Sequence, residues 1–177
     1  MAHLTQVHIL TLNCWGIRYV SREYSRRLNE IGRSIANADP IPDIVGLQEC
    51  FSREAFECIR REIRSILPYA KHYSAGSFGA GLAILSRWPF EETSMIRYPL
   101  NGCPIAFYHG DWYVGKGVAC ATIRYGEAPD NVIEVLNTHV SRFFFFWHCC
   151  TISRRRRLLG RQPVVSIAPI FLTRGCT

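Results

Sequence analysis

A chain of 177 residues, 48% of them apolar, is of single-domain length and has ample material for a buried core, which sets aside disorder as the starting assumption. Its net charge of +7 suggests an anionic partner, yet residues 1 to 140 balance fourteen basic side chains against fourteen acidic ones. The surplus is seven arginines beyond residue 140 (Arg142, Arg154, Arg155, Arg156, Arg157, Arg161 and Arg174), so overall charge excludes a global nucleic-acid surface and leaves only the last segment to carry one.

The stretch VHILTLNCWG begins with alternating Val7 and Ile9, continues through Leu10 and Leu12, and predicts a strand entering a loop at Asn13. Ser21 is placed to cap a helix with Tyr24, Leu28, Ile31 and Ile35 at helical spacing, stopped by Asp39-Pro40. In PDIVGLQE, Ile44, Val45 and Leu47 form the short apolar run of a buried strand that ends on a carboxylate, Glu49. Ser52 caps a second helix. Phe51 and Phe56 occupy its hydrophobic-staple positions, and Phe56, Ile59, Ile63 and Ile66 continue one apolar face as far as Leu67-Pro68. Glycine-rich AGSFGAG leads into a strand, LAILS, which Trp88-Pro89 breaks. GVACATIRY and NVIEVLNTHV are two further strands about the polar turn GEAPDN. An order of β-α-β-α followed by strands, with no internal repeat, predicts an α+β (α/β layered) sandwich rather than a regular doubly wound sheet.

After Val140 the pattern stops: FFFFW is followed shortly by RRRR, and the last acidic residue is Glu134. Residues 1–140 are therefore read as the domain and residues 141–177 as an atypical basic and aromatic tail, disordered or translated from a non-native frame. The competing reading is a membrane-directed tail that meets anionic phospholipid. Cys14, Cys50, Cys58, Cys103 and Cys120 lack C-x-x-C spacing, and MAHLTQVHIL has neither a basic n-region nor a long apolar h-region. The expectation is an intracellular chain with reduced thiols and no signal peptide. No stretch reaches the ~20 apolar residues that span a bilayer.

Asn13 and Glu49 are the first candidates for chemistry. Each stands at the far end of a predicted strand, where neighbouring strands bring side chains to one rim. An amide oxygen and a carboxylate are hard ligands suited to magnesium, which keeps several waters and takes substrate phosphate into its shell. Read alone, an Asn in a loop is more often a turn residue and Glu49 more often a surface one. GDWYVGKG at 110–117 matches most of a nucleotide phosphate loop, but Gly117 stands where a Ser or Thr hydroxyl is required, and a strand rather than a helix follows. AGSFGAG does not form a dinucleotide fingerprint. HCC at 148–150 lacks a fourth metal ligand.

LNCWG at 12–16, PDIVGLQE at 42–49, GLAILS at 81–86, LNGCP at 100–104, GDWYVGKG at 110–117 and NTHV at 137–140, in this order, resemble the neutral sphingomyelinase and inositol-phosphosphingolipid phospholipase C family. That family lies within the endonuclease/exonuclease/phosphatase superfamily. The resemblance implies the N-terminal portion of a DNase-like four-layer fold with two packed mixed β-sheets. It also implies a Mg2+-dependent phosphodiesterase that cleaves sphingomyelin or inositol phosphosphingolipids to ceramide and a phosphorylated head group. In it Glu49 matches the metal-ligand glutamate, Asn13 the asparagine of the metal site, and His139 the histidine at the scissile phosphate. Asp111 and Lys116 match a P-loop-like segment in which Lys116 meets a phosphate. The implied partner is a sphingolipid at a membrane surface, on the cytosolic face; nucleic acid is not expected, and no protein partner is inferable.

Attack by water also needs a general base. The resemblance assigns that work to a late Asp-His pair aided by an Asp-x-Asn segment, and neither occurs after His139. The chain as written is therefore expected to be inactive. The alternatives are a non-catalytic lipid-associating fragment, and a nuclease of the same superfamily.

Overall fold

The computed structural model describes residues 6–16, 23–73, 81–97, 117–126, 131–140, 148–154 and 164–169. Nine strands and two helices fall within them: β1 (Gln6–Asn13), α1 (Tyr24–Ala36), β2 (Ile44–Gln48), α2 (Arg53–Ile63), β3 (Tyr69–Tyr73), β4 (Leu82–Ser86), β5 (Phe90–Arg97), β6 (Gly117–Arg124), β7 (Val132–Val140), β8 (His148–Arg154) and β9 (Val164–Pro169). They build two sheets. The first has the order β3-β4-β2-β1-β9 and is mixed, with β1 parallel to both β2 and β9 and β2 antiparallel to β4. The second has the order β5-β6-β7-β8 and is antiparallel throughout.

Alternation along each strand sorts its side chains into two cores. Even-numbered Leu10 and Leu12 of β1, with Val45 and Leu47 of β2, meet the apolar faces of the helices: Leu28, Ile31 and Ile35 from α1, and Phe56, Ile59 and Ile63 from α2. The opposite face carries Val7, Ile9, Ile44, Leu82 and Ile84. These pack on Ala119, Ala121, Ile123, Ile133 and Val135 of the second sheet. Helices, mixed sheet and antiparallel sheet are thus three successive layers, as the α+β sandwich reading requires. Across the gap between the sheets, the Tyr73 hydroxyl donates to the Cys120 carbonyl at 2.8 Å, and burial pushes its pKa up.

Ser52 caps α2 as expected, its Oγ accepting from the Ala55 N–H at 3.0 Å. The Tyr24 hydroxyl reaches the same Oγ at 2.8 Å and ties α1 to that cap. Ser21, the expected cap of α1, lies outside the described residues; Glu23 occupies the N-cap position in a left-handed conformation with no side-chain cap bond. Within residues 1–140 two strands escaped the sequence reading, β3 and β5, and both are sheet edges whose side chains are mostly exposed or half-buried. Beyond Val140, the described residues 148–154 and 164–169 are strands. Their backbones join β7 and β1 as β8 and β9. Strand addition to an open edge needs main-chain N–H and C=O groups more than a side-chain pattern. Among the described residues, no helix is long and apolar enough to cross a membrane.

Candidate active site

Parallel β1 and β2 end side by side, with Asn13 paired to Gln48 in register. Asn13 continues the phase of Val7, Ile9 and Thr11, so its side chain lies on the face turned toward the second sheet. By the same alternation Glu49 would follow Leu47 toward the helices, but its φ is +56°. This left-handed turn, costing about 1 kcal/mol for a residue with a Cβ, takes the carboxylate out of the helix-facing phase and onto the rim beside Asn13. Asn13 Nδ2 donates to Glu49 Oε1 at 2.7 Å.

The third member arrives from the other sheet. In β7 the buried phase runs Ile133, Val135, Asn137, and His139 is next in it. His139 Nε2 lies 3.3 Å from Glu49 Oε1, with both side chains largely buried. Burial pushes the Glu49 carboxyl up in pKa, but the hydrogen bonds from His139 and Asn13, and the charges of His139 and Arg27, outweigh it and hold the group below its ordinary range.

Glycines and an arginine shape the surrounding loops. The Gly16 N–H donates to the Glu49 carbonyl at 2.8 Å, and a Cβ on Gly16 would stand 2.5 Å from that oxygen, so only glycine allows the two strand ends to close. Gly81, at φ +63°, offers no room either: a Cβ there would meet the Phe51 ring at 2.7 Å and the Glu49 Cα at 3.3 Å. Arg27 of α1 donates from Nη1 to the Cys14 carbonyl and from Nη2 to the Trp15 carbonyl, each at 2.7 Å, and lies over the exposed Trp15 ring at 5.8 Å. Cys14 and Cys50, which follow Asn13 and Glu49 in the chain, are buried free thiols.

The donor set fits a hard cation. Glu49 Oε1 takes both hydrogen bonds, while Oε2 takes none among the described residues. Asn13 Oδ1 accepts the Trp15 N–H at 2.9 Å and keeps a second lone pair. The described residues hold no group of three or more His, Cys, Asp or Glu that could cage a metal ion. One carboxylate and one amide oxygen suit magnesium, which retains waters, and do not suit a structural zinc.

Three of the residues named from the sequence, Asn13, Glu49 and His139, are therefore brought together at one rim. Asp111 and Lys116 lie outside the described residues; Gly117 of the same segment opens a strand, β6, and not the helix that a nucleotide phosphate loop requires. Beneath the trio lies a second set that sequence reasoning missed. Gln48 Nε2 donates to Thr11 Oγ1 at 3.0 Å and to Asn137 Oδ1 at 2.6 Å, while Asn137 Nδ2 donates to the carbonyls of Leu47 (2.9 Å) and Ala83 (3.0 Å). The signal was present in NVIEVLNTHV: an amide in the buried phase of an apolar strand must find partners across the gap.

The family model described as the Endonuclease/Exonuclease/phosphatase family matches residues 10–158. Inositol phosphosphingolipids phospholipase C of Schizosaccharomyces pombe is 43% identical over 135 residues, covering 76% of this chain and 31% of that protein. Sphingomyelin phosphodiesterase 2 of Homo sapiens is 35% identical over 136 residues, covering 77% of this chain and 30% of that protein. The chain thus spans about a third of the length of these curated relatives. Among solved structures, a β-toxin variant of Staphylococcus aureus with bound magnesium ions has the same layered architecture, with a TM-score of 0.58 at 21% identity over 73% of this chain and 48% of that one.

Proposed function

The chain belongs to the endonuclease/exonuclease/phosphatase family, and from that premise we propose that it is a magnesium-dependent phosphodiesterase of the phospholipase C type that acts on sphingolipids at a membrane surface. One observation carries the reading: Asn13, Glu49 and His139, from three strands of two sheets, meet within hydrogen-bonding distance at a single rim. The substrate class is supported by the relatives, whose names specify inositol phosphosphingolipids and sphingomyelin. Both are ceramide phosphodiesters that differ in head group.

In this reading Glu49 and Asn13 would hold the ion, which when bound supplies positive charge to a non-bridging phosphate oxygen. Asn13 also keeps Glu49 in place through its amide. His139 borders the same space, where its imidazolium charge would stabilise the phosphate and the departing ceramide oxygen. The resemblance assigns Lys116 and Asp111 to the same phosphate-binding group, Lys116 to meet the lipid phosphate and Asp111 to pair with Lys116. The water that attacks phosphorus needs a base, and the sequence has no acidic residue beyond Glu134. Residues 1–140 therefore supply the metal and phosphate half of the site, and these 177 residues bind without turning over. The chain works on the cytosolic face of a membrane, with the arginines beyond Val140 drawn to anionic phospholipid.

Titration with Mn2+, a spectroscopic stand-in for Mg2+, tests the metal half. Glu49→Gln is expected to weaken binding roughly tenfold or more, and an unchanged affinity would sink the proposal. Head-group release from vesicles of sphingomyelin or inositol phosphoceramide is expected to match that of Glu49→Ala; release clearly above it would reverse the statement that the chain does not turn over.

A further inference from the structure

We infer that Asn137 is a positioning residue: a peg through which the second sheet holds His139 against Glu49. The role of His139 in chemistry rests on the phosphodiesterase reading above, whereas the geometry of the peg does not.

The candidate site straddles two sheets. Asn13 and Glu49 follow from β1 and β2, already in register through main-chain pairing, so their approach is set within one sheet. His139 belongs to β7, whose main chain is paired with β6 and β8 in the second sheet. Between the sheets lie chiefly apolar side chains, Ile9, Ile44 and Ile84 against Ala121, Ile133 and Val135. Such contacts are non-directional and tolerate small displacements of one sheet over the other. Directed bonds do not.

Asn137 supplies three of them, and both it and Gln48 are completely buried. Its Nδ2 bridges the carbonyls of Leu47 and Ala83, which stand opposite each other in the β2–β4 ladder, so the amide spans two adjacent strands of the first sheet. Its Oδ1 takes the short bond from Gln48 Nε2. Asn137 and His139 lie two residues apart on the same face, roughly 7 Å along the strand. Gln48 is the residue before Glu49, and Thr11, the other partner of Gln48, lies two residues before Asn13. Thr11, Gln48 and Asn137 therefore form a buried tier one step below Asn13, Glu49 and His139, each member on the strand that delivers its upper counterpart. Removing the Asn137 amide leaves the Asn13–Glu49 pair intact on its own sheet and releases the sheet that carries His139.

The test uses the full chain. The His139 Cε1–H resonance, identified by its loss in His139→Ala, is recorded at fixed pH with and without Glu49→Gln. In the native background Glu49→Gln is expected to move it; in Asn137→Ala the same substitution is expected to move it by less than half as much, while Mn2+ affinity stays within about twofold of the native chain. Tyr73→Phe, which removes a different bond between the sheets, is expected to lower the melting temperature without altering the response of His139. If Asn137→Ala does not fold, Gln48→Met, which removes the bonds to Asn137 Oδ1 and Thr11 Oγ1 but leaves both bonds of Asn137 Nδ2 in place, is expected to reduce the response in the same direction. A full response of His139 in the folded Asn137→Ala or Gln48→Met chain overturns the inference, as does an equal loss of response in Tyr73→Phe. Mn2+ affinity indifferent to Glu49→Gln counts against the metal-site reading alone and leaves the result at His139 standing.

Discussion

Glu49 combines a left-handed backbone with a largely buried charge, and the two can be separated by substitution. Ala at this position would still pay the conformational cost of φ +56°, whereas Gly would not. Glu49→Gly is therefore expected to be more stable than Glu49→Ala by about 1 kcal/mol, the reverse of the order within a helix or strand, as read by urea denaturation. The charge has its own signature. Because the folded chain holds the carboxyl below its ordinary value of 4.5, ionised Glu49 stabilises the fold above that pH, and the contribution fades as pH falls through the lowered folded value. The melting temperatures of the native chain and Glu49→Gln should thus differ most near neutral pH and converge in acid; a gap that widens below pH 4.5 contradicts the assignment. The αL turn at Glu49 was not visible in the sequence, because LQE reads as the smooth end of a strand.

At the scale of the element, helices were the legible part and sheet edges were not. Tyr24, Leu28, Ile31 and Ile35 project from one face of α1, and Phe56, Ile59 and Ile63 from one face of α2, so a 3.6-residue period identifies each helix. Ser52 is the clearest local signal of all. Ser52→Ala removes both the cap of Ala55 N–H and the partner of the Tyr24 hydroxyl, and is expected to cost about 1 to 2 kcal/mol in denaturant unfolding. YAKHY of β3 and FEETSMIR of β5 gave no comparable signal, since most of their side chains are exposed or only half-buried and few apolar residues mark a buried face. HCCTISR and VVSIAP take part through main-chain pairing with β7 and β1, and pairing of that kind leaves little mark on composition.

For the whole molecule, stability and ligand affinity are linked through the rim. A cation that binds only the folded chain raises its stability by about 2.7 kcal/mol at a hundred times its dissociation constant. Millimolar Mg2+ is accordingly expected to raise the melting temperature of the native chain and to leave that of Glu49→Gln unmoved, in a thermal melt with and without chelator. The trio was legible because strand ends point to Asn13 and Glu49, and the family resemblance repeats those two and adds His139. The tier beneath it was not, since an amide in a strand does not declare which carbonyls across the gap it will meet.

The two-sheet origin of the rim also orders events in time. Asn13 and Glu49 are 36 residues apart, on strands that are complete once α2 has left the ribosome. The bond from Asn137 to Leu47 closes a loop of 90 residues, and loop closure of that length comes late. A nascent chain thus acquires its carboxylate and amide pair first, and the imidazole only when the β6–β7 hairpin has been synthesised and docked.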